Sequence, residues 1–305
     1  MSGVDQTNLL NNLKDIAQKA GLDISEELAK INAKLESSTA LSKTWERVEL
    51  ARHSDRPRTL DYINLIFDNF TELHGDRFFG DDPAMIGGIG FIDGRPVTVI
   101  GTQKGRNLRE TIDRNGGMAN PEGYRKAMRL AKQAEKFKRP IITFIDTQGA
   151  YPGLGAEERG IGEAIAFNLR EFSRLKTPII CIIIGEGGSG GALGIGVGDK
   201  IYMLENAIFS VISPEGCASI LLRDSSRAKD AAAMLKITSQ EVLDLKVING
   251  IIPEPEKGAH TDPQKTADAI KEQIIKDLDD LTKRDPAVLV KYRSKKIRSI
   301  GKYSE

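Results

Sequence analysis

Between Pro178 and Asp199 the chain reads PIICIIIGEGGSGGALGIGVGD, an apolar run that passes into five glycines within seven positions, Gly185, Gly187, Gly188, Gly190 and Gly191. The run from Ile179 to Ile184 is short and rich in β-branched residues, which predicts a strand buried on both faces. Glycine has no Cβ, so the segment that follows can turn tightly and bring its backbone close to a ligand. The small apolar residues from Ala192 to Val197 are expected to continue as a buried helix. Strand, turn and helix together aim backbone N–H groups and a positive helix end at one point, where a developing oxyanion can be held without any side chain. So many glycines are costly to order on folding, which favours a ligand or a tight backbone approach over simple helix packing.

A second copy stands 38 residues upstream, where Pro140 to Gly153 reads PIITFIDTQGAYPG. Pro140, Ile141 and Ile142 align with Pro178, Ile179 and Ile180, and Gly149 falls opposite Gly187. Between the copies, Ile161, Ile165, Leu169, Phe172 and Leu175 recur at helical spacing, as a crossover between parallel strands requires. Parallel strands with glycine turns at their carboxyl ends define a ligand crevice.

The 305 residues suffice for a sizeable core, and 44 basic against 43 acidic side chains leave a net charge of +1. That balance points to neither nucleic acid nor a membrane surface. Cys181 and Cys217 have neither zinc-finger spacing nor a secretory framework, and His53, His74 and His260 form no metal pattern. With no apolar signal core near Met1 and no run long enough to span a bilayer, the expected location is cytoplasmic.

Residues 1–40 read as a peripheral helical extension, with a break at Gly21 and a cap at Ser25. A helix is expected from Thr59, burying Leu60, Ile63, Phe67, Phe70 and Leu73 and stopping at Gly75. His74, in the loop ELHGDRFF, reads as a structural hydrogen-bonding residue. Asp93 and Gly94 between two apolar runs predict a hairpin, so the core opens with antiparallel strands. From Gln103 to Gly123 the chain is polar and glycine-bearing, an irregular connection whose Lys104, Arg106, Arg109 and Arg114 are candidates to reach phosphates or to be solvated. A basic helix follows Asn120 and Pro121. Short strands at Ile201–Leu204 and Ile208–Ile212, a helix capped by Ser213, another from Ser239, a strand at Ile251 and Ile252, and a long helix from Asp262 complete residues 41–290 as one domain. Residues 291–305 are set apart as a basic tail.

Gly185, Gly187 and Gly190 also satisfy GxGxxG, and Glu205 follows twenty residues later, so an NAD-dependent oxidoreductase is the obvious rival. Against it, the motif lies two thirds of the way along, the earlier turn at Gln148–Tyr151 has no such fingerprint, and short strands replace a second βαβαβ half. No phosphate-loop lysine follows the glycines, and no serine elbow is present.

ELHGDR at Glu72, NPEGYRKAMRLAKQAEKF at Asn120, DTQGAYPGLGAEERG at Asp146, GEGGSGGALGIGVGD at Gly185 and SPEGCASILLRD at Ser213 together resemble the α subunit of bacterial acetyl-CoA carboxylase carboxyltransferase. The resemblance spans nearly the whole chain in order and spacing. It implies an α/β, crotonase-like spiral of ββα turns with peripheral N- and C-terminal helices. It also implies an α2β2 assembly with a separate β subunit that carries the zinc ribbon this chain lacks, so no metal is expected here. Carboxybiotin would arrive on a biotin carboxyl carrier protein, with ATP used by biotin carboxylase in the larger complex.

The implied reaction moves CO2 from biotin to acetyl-CoA, giving malonyl-CoA for fatty-acid biosynthesis; a carboxyltransferase for another acyl-CoA is the near alternative. Such chemistry asks the protein for placement and electrostatics more than for reactive side chains. Negative charge develops on the ureido oxygen of biotin and on the thioester oxygen. By resemblance, the N–H groups of Gly190 and Gly191 serve the first, and a pair on the β subunit serves the second. Gly149, Ala150, Gly187 and Gly188 are assigned to shaping the pocket. The same resemblance implies that the freed biotin nitrogen would act as the base, so that no histidine is needed.

Overall fold

The computed structural model describes residues 29–30 and 41–301. The expected extension over residues 1–40 lies outside the described residues apart from two helical positions, as does the end of the tail from residue 302. Helix α1 covers residues 41–51. After it come α2 (Thr59–Ile66), β1 (Asp68–Glu72), β2 (Met85–Ile92), β3 (Arg95–Thr102), α3 (Leu108–Asp113), α4 (Pro121–Lys136), β4 (Ile141–Thr147), α5 (Leu154–Glu158), α6 (Ile161–Phe172), β5 (Ile179–Gly188) and α7 (Ser189–Leu193). The chain continues through β6 (Lys200–Leu204), β7 (Ile208–Ser210), α8 (Pro214–Cys217), α9 (Ala228–Leu235), α10 (Ser239–Asp244), β8 (Gly250–Ile252), α11 (Pro263–Leu281) and α12 (Pro286–Arg298).

Among the described residues the strands form one eight-stranded sheet in the order β1-β2-β3-β4-β5-β6-β8, with β7 paired to the far end of β5. The first three strands are antiparallel, and β3 through β8 are parallel. The hairpin forms as expected: Asp93 and Gly94 take φ of 50° and 69°, the left-handed pair that matches strand twist in a two-residue loop. β4 and β5 are buried along nearly their full length, as parallel central strands must be.

The helix expected from Thr59 to Leu73 ends instead at Ile66. Phe67 turns extended with φ −112° and ψ 140°, and Asp68–Glu72 then pairs antiparallel with β2. Phe67 reaches the core from the helix cap, its N–H still donating to the Ile63 carbonyl, and Phe70 reaches it from the edge strand, where ladder hydrogen bonds replace helical ones. The crossover α6 is present between β4 and β5, although its fully buried face is Ile161, Ala164, Asn168 and Phe172 rather than an unbroken apolar stripe. Asn168 is admitted because its amide donates to the carbonyls of Tyr124 (2.9 Å) and Gly194 (3.0 Å), tying α6 to α4 and to the end of α7.

The cut expected after residue 290 falls inside α12. Arg293 is 1% exposed and uses all five of its donors. Asp199 takes two of them, at 3.0 and 2.7 Å, and the carbonyls of Phe172, Leu175 and Thr177 take the rest at 2.7–2.9 Å. Part of the basic segment is thus bolted to the α6–β5 connection.

Candidate active site

The site is built where β4 and β5 end. Their register runs one for one from Ile141↔Ile179 to Ile145↔Ile183, but the next pair is Thr147↔Gly187. β5 therefore spends four residues where β4 spends two. This bulge corrects the sequence alignment: Thr147, not Gly149, faces Gly187, and Gly149 meets Gly191. Asp146 fills the slip, its Oδ1 accepting from the Glu186 N–H at 2.9 Å. A Cβ on Gly185 would stand 2.4 Å from that oxygen, so glycine is required there.

The two glycine turns then lie backbone on backbone. A Cβ on Gly188 would come 2.0 Å from the Gln148 carbonyl oxygen, and one on Gly191 would come 2.3 Å from the Gly149 carbonyl carbon and 2.6 Å from the Ala150 nitrogen. Thr147 fastens the first turn, its hydroxyl donating to the Gly149 carbonyl at 2.7 Å. Gly190 differs: a Cβ there would meet only the Ile165 side chain, at an ordinary van der Waals distance of 3.7 Å. It borders a cavity of about 340 Å³ whose lining includes Ser189, Leu193, Phe209, Val211 and Lys236. Gly187 and Gly188 line a smaller recess with Arg52, Gln148 and Glu186. The six predicted residues thus gather at two adjoining strand ends, in unequal settings: Gly191 is a backbone contact, and Gly190 has room for a Cβ against Ile165.

The helix expected over Ala192–Val197 begins earlier and is shorter, at Ser189–Leu193, so Gly190 and Gly191 sit in its first turn. First-turn N–H groups have no intrahelical acceptor and point outward along the axis. Ser189 enters that turn with φ of 50°, a left-handed conformation that costs a non-glycine residue energy. This first turn borders a mostly apolar cavity through Ser189, Gly190 and Leu193.

Beneath the turns runs a chain of charges that the sequence reading missed. Lys104 Nζ lies 2.7 Å from Asp146 Oδ1 and 2.7 Å from Glu186 Oε2. Arg52 Nε lies 2.7 Å from Glu186 Oε1, and its Nη1 lies 2.7 Å from Glu215 Oε1 on α8. Burial pushes the Glu186 carboxyl up, but Lys104 and Arg52 outweigh it and hold the group below its ordinary value. Burial likewise pushes the Lys104 ammonium down, and Asp146 and Glu186 more than reverse that. The signal was present, since each apolar strand carries an acid shortly before its glycine turn, Asp146 in FIDTQG and Glu186 in IIGEGG.

The basic candidates of the Gln103–Gly123 connection are mostly engaged. Lys104 is paired as above, Arg106 pairs with Asp61, and Arg114 donates to the Pro83 carbonyl at 2.6 Å. The connection itself is not irregular throughout, because Leu108–Asp113 is helical with Asn107 as its cap. Lys126 of the basic helix is fully buried, donating to the Asp82 carbonyl at 2.9 Å and pairing with Asp81. His74 is structural as expected, 2.9 Å from Asp81 Oδ2. Glu205, the rival ribose acid, pairs with Arg47 at 3.7 Å and lines a different cleft from Gly190. Among the described residues, no three His, Cys, Asp or Glu side chains are grouped to hold a metal.

A family model described as acetyl co-enzyme A carboxylase carboxyltransferase-like matches residues 4–301. Over 305 residues, all of both chains, the sequence is 98% identical to the acetyl-coenzyme A carboxylase carboxyl transferase subunit alpha of Treponema denticola. It is 54% identical over 302 residues to that subunit of Staphylococcus aureus, covering 98% of this chain and 96% of the relative. Among solved structures, a Pseudomonas malonate decarboxylase hetero-tetramer in complex with coenzyme A superposes with a TM-score of 0.58 at 18% identity, over 72% of this chain and 90% of that one. Transcarboxylase 12S with methylmalonyl-coenzyme A bound gives 0.57 at 19%, over 70% of this chain and 41% of that one. At such identities the likeness shows the fold alone, and that fold is the crotonase-like α/β one.

Proposed function

The chain belongs to the acetyl-CoA carboxylase carboxyltransferase α-subunit family, whose reaction forms malonyl-CoA, and from that premise we propose that the paired glycine turns are this subunit's share of the catalytic centre. The observation that carries the proposal is the contact between Gly191 and the Gly149–Ala150 backbone, which locks two strand-end turns together beside an open Gly190. The N–H groups of Gly190 and Gly191 are the donors for the ureido oxygen of biotin. Gly149, Ala150, Gly187 and Gly188 shape the wall around them.

Carboxybiotin, when bound, supplies the carboxyl group to be transferred. A flat, largely apolar ring system with one polar edge suits a cavity lined by Leu193, Phe209 and Val211 with Gly190 at its rim. The chain's own part is electrostatic. Fixed N–H dipoles hold the oxygen on which charge develops, and because they are already oriented they need no reorganisation as it does so; one such donor is worth roughly 3 to 4 kcal/mol of barrier. Burial of Gly191 and Ala192 behind the turn limits the access of water from that side.

No thioester-binding pair is assigned to this chain, so the second oxyanion hole belongs to a β subunit in an α2β2 assembly, with carboxybiotin delivered by a biotin carboxyl carrier protein and regenerated by biotin carboxylase. With both cysteines free and buried, the place of work is the cytoplasm. The test is decarboxylation of malonyl-CoA to acetyl-CoA with free biotin as acceptor, run with this chain alone, with the family's β subunit alone, and with the two co-purified. Activity confined to the mixture is expected. Full activity of either chain by itself contradicts a shared site.

A further inference from the structure

Lys104 lies at the start of a connection that is remote in sequence from both glycine turns, yet among the described residues its ammonium is the one cation that pairs with the strand ends feeding both. Asp146 stands three residues before Gly149, and Glu186 stands four before Gly190. Nζ reaches both carboxylates at 2.7 Å, and the same Asp146 oxygen also takes the Glu186 N–H at 2.9 Å. Ammonium, two carboxylates and a backbone N–H thus close a ring across the β-bulge. The Lys104 stem is itself clamped, because a Cβ on Gly117 would stand 2.7 Å from Lys104 Cγ, and Gly117 holds the left-handed φ of 83° that glycine tolerates. The far end of the connection returns to the first turn, where the Ala119 carbonyl accepts from the Tyr151 N–H at 3.0 Å.

We propose that Lys104 is a positioning residue, whose bridge between Asp146 and Glu186 sets the spacing and tilt of the two glycine turns and thereby aims the Gly190 and Gly191 N–H groups. The proposal rests on the assignment of those N–H groups made above. Without the cation, two carboxylates remain side by side in a mostly buried site and must part or take up a proton. Either response moves the ends of β4 and β5, and a misplacement of about 1 Å can cost about a hundredfold in rate. Arg52 cannot substitute, because its guanidinium is held by Glu186 on one side and Glu215 on the other.

The experiment uses the complex with the β subunit and compares wild type with Lys104→Met, Lys104→Arg, Lys104→Met/Glu186→Gln and Gly190→Val. Tm, complex formation, and kcat and KM for malonyl-CoA decarboxylation are measured. The double variant restores the charge balance without the bridge. It is expected to recover Tm relative to Lys104→Met while kcat stays down about a hundredfold and KM moves by less than about threefold. Lys104→Arg keeps the charge but alters the reach, so it too is expected to fold and to lose kcat. Recovery of kcat together with Tm in the double variant, or wild-type kcat in Lys104→Met or Lys104→Arg, overturns the positioning role and leaves a bridge that only stabilises. Full activity in Gly190→Val instead overturns the glycine assignment itself, so the two failures are told apart.

Discussion

Gly191 rests on Gly149: no side-chain carbon fits between them, since a Cβ on Gly191 would lie 2.3 Å from the Gly149 carbonyl carbon. The neighbouring Gly190 has no such constraint, with nothing nearer its Cβ direction than Ile165 at 3.7 Å. Adjacent glycines in one helical turn therefore serve different ends, one close packing and the other access.

This difference predicts opposite responses to the same small change. Gly191→Ala is expected to lower stability by about 1–3 kcal/mol, the usual cost of overpacking, because the obstruction is backbone and cannot rotate away. Gly190→Ala is expected to be within about 0.5 kcal/mol of wild type. Urea denaturation of the two variants checks this, and equal losses would show that the turns do not touch as described.

Ser189 holds φ of 50° at the entrance to the same turn. Replacing it by glycine removes the Cβ clash of that conformation and is expected to stabilise the fold by about 1 kcal/mol, despite the greater freedom of the unfolded chain. A Tm below wild type would contradict the strain.

The C-terminal helix makes a larger prediction. Arg293→Met leaves Asp199 buried without its cation and five acceptor contacts unmade, an expected loss of about 3–5 kcal/mol. A chain ending after residue 290 should lose at least as much, because it removes Arg293 with its helix. A truncated chain as stable as the full one would show that residues 291–305 are the separate tail their basic composition suggests.

Asp82 supplies a pH dependence. Burial pushes its carboxyl up to about 6, against backbone donations from Ala84 and Asn120 and the charge of Lys126, which pull the other way. The native state thus holds this proton more tightly than the unfolded chain does. The stability it contributes is fully present below about pH 4 and is lost as pH rises through about 6. Asp82→Asn should therefore flatten the stability profile between pH 4 and 6 relative to wild type. An unchanged slope in that window would mean that Asp82 titrates normally.

Much of this was legible in the sequence because backbone chemistry leaves a strong trace. A glycine cluster after a β-branched run, repeated 38 residues earlier, located both turns, the parallel pairing of β4 with β5 and the crossover between them. Spacing alone misplaced the contact, because it cannot reveal a bulge. Asp146 and Glu186 create that bulge through a hydrogen bond between strands, and the pairing of Gly149 with Gly191 follows from it. The charge chain was hidden for a related reason: Arg52, Lys104 and Glu215 lie far apart in sequence and resemble solvated surface residues until the fold brings them together. Phe70 and Leu73 misled the helix assignment because their spacing suits either a helix or an edge strand reaching into the core, and pairing with β2 decided it.

On the proposed function, the turn at Gly190 presents N–H donors to a reacting group in a site shared with another subunit. Malonyl-CoA decarboxylation by the complex with the β subunit tests this most directly when wild type is compared with Gly190→Val, since a Cβ at Gly190 would meet Ile165 at 3.7 Å and no atom of Gly149. A normally assembled complex is expected whose rate falls by about a hundredfold, because the isopropyl group leaves the N–H in place but crowds the turn and misplaces the group it would hold. An assembled Gly190→Val complex that turns over at the wild-type rate would contradict it.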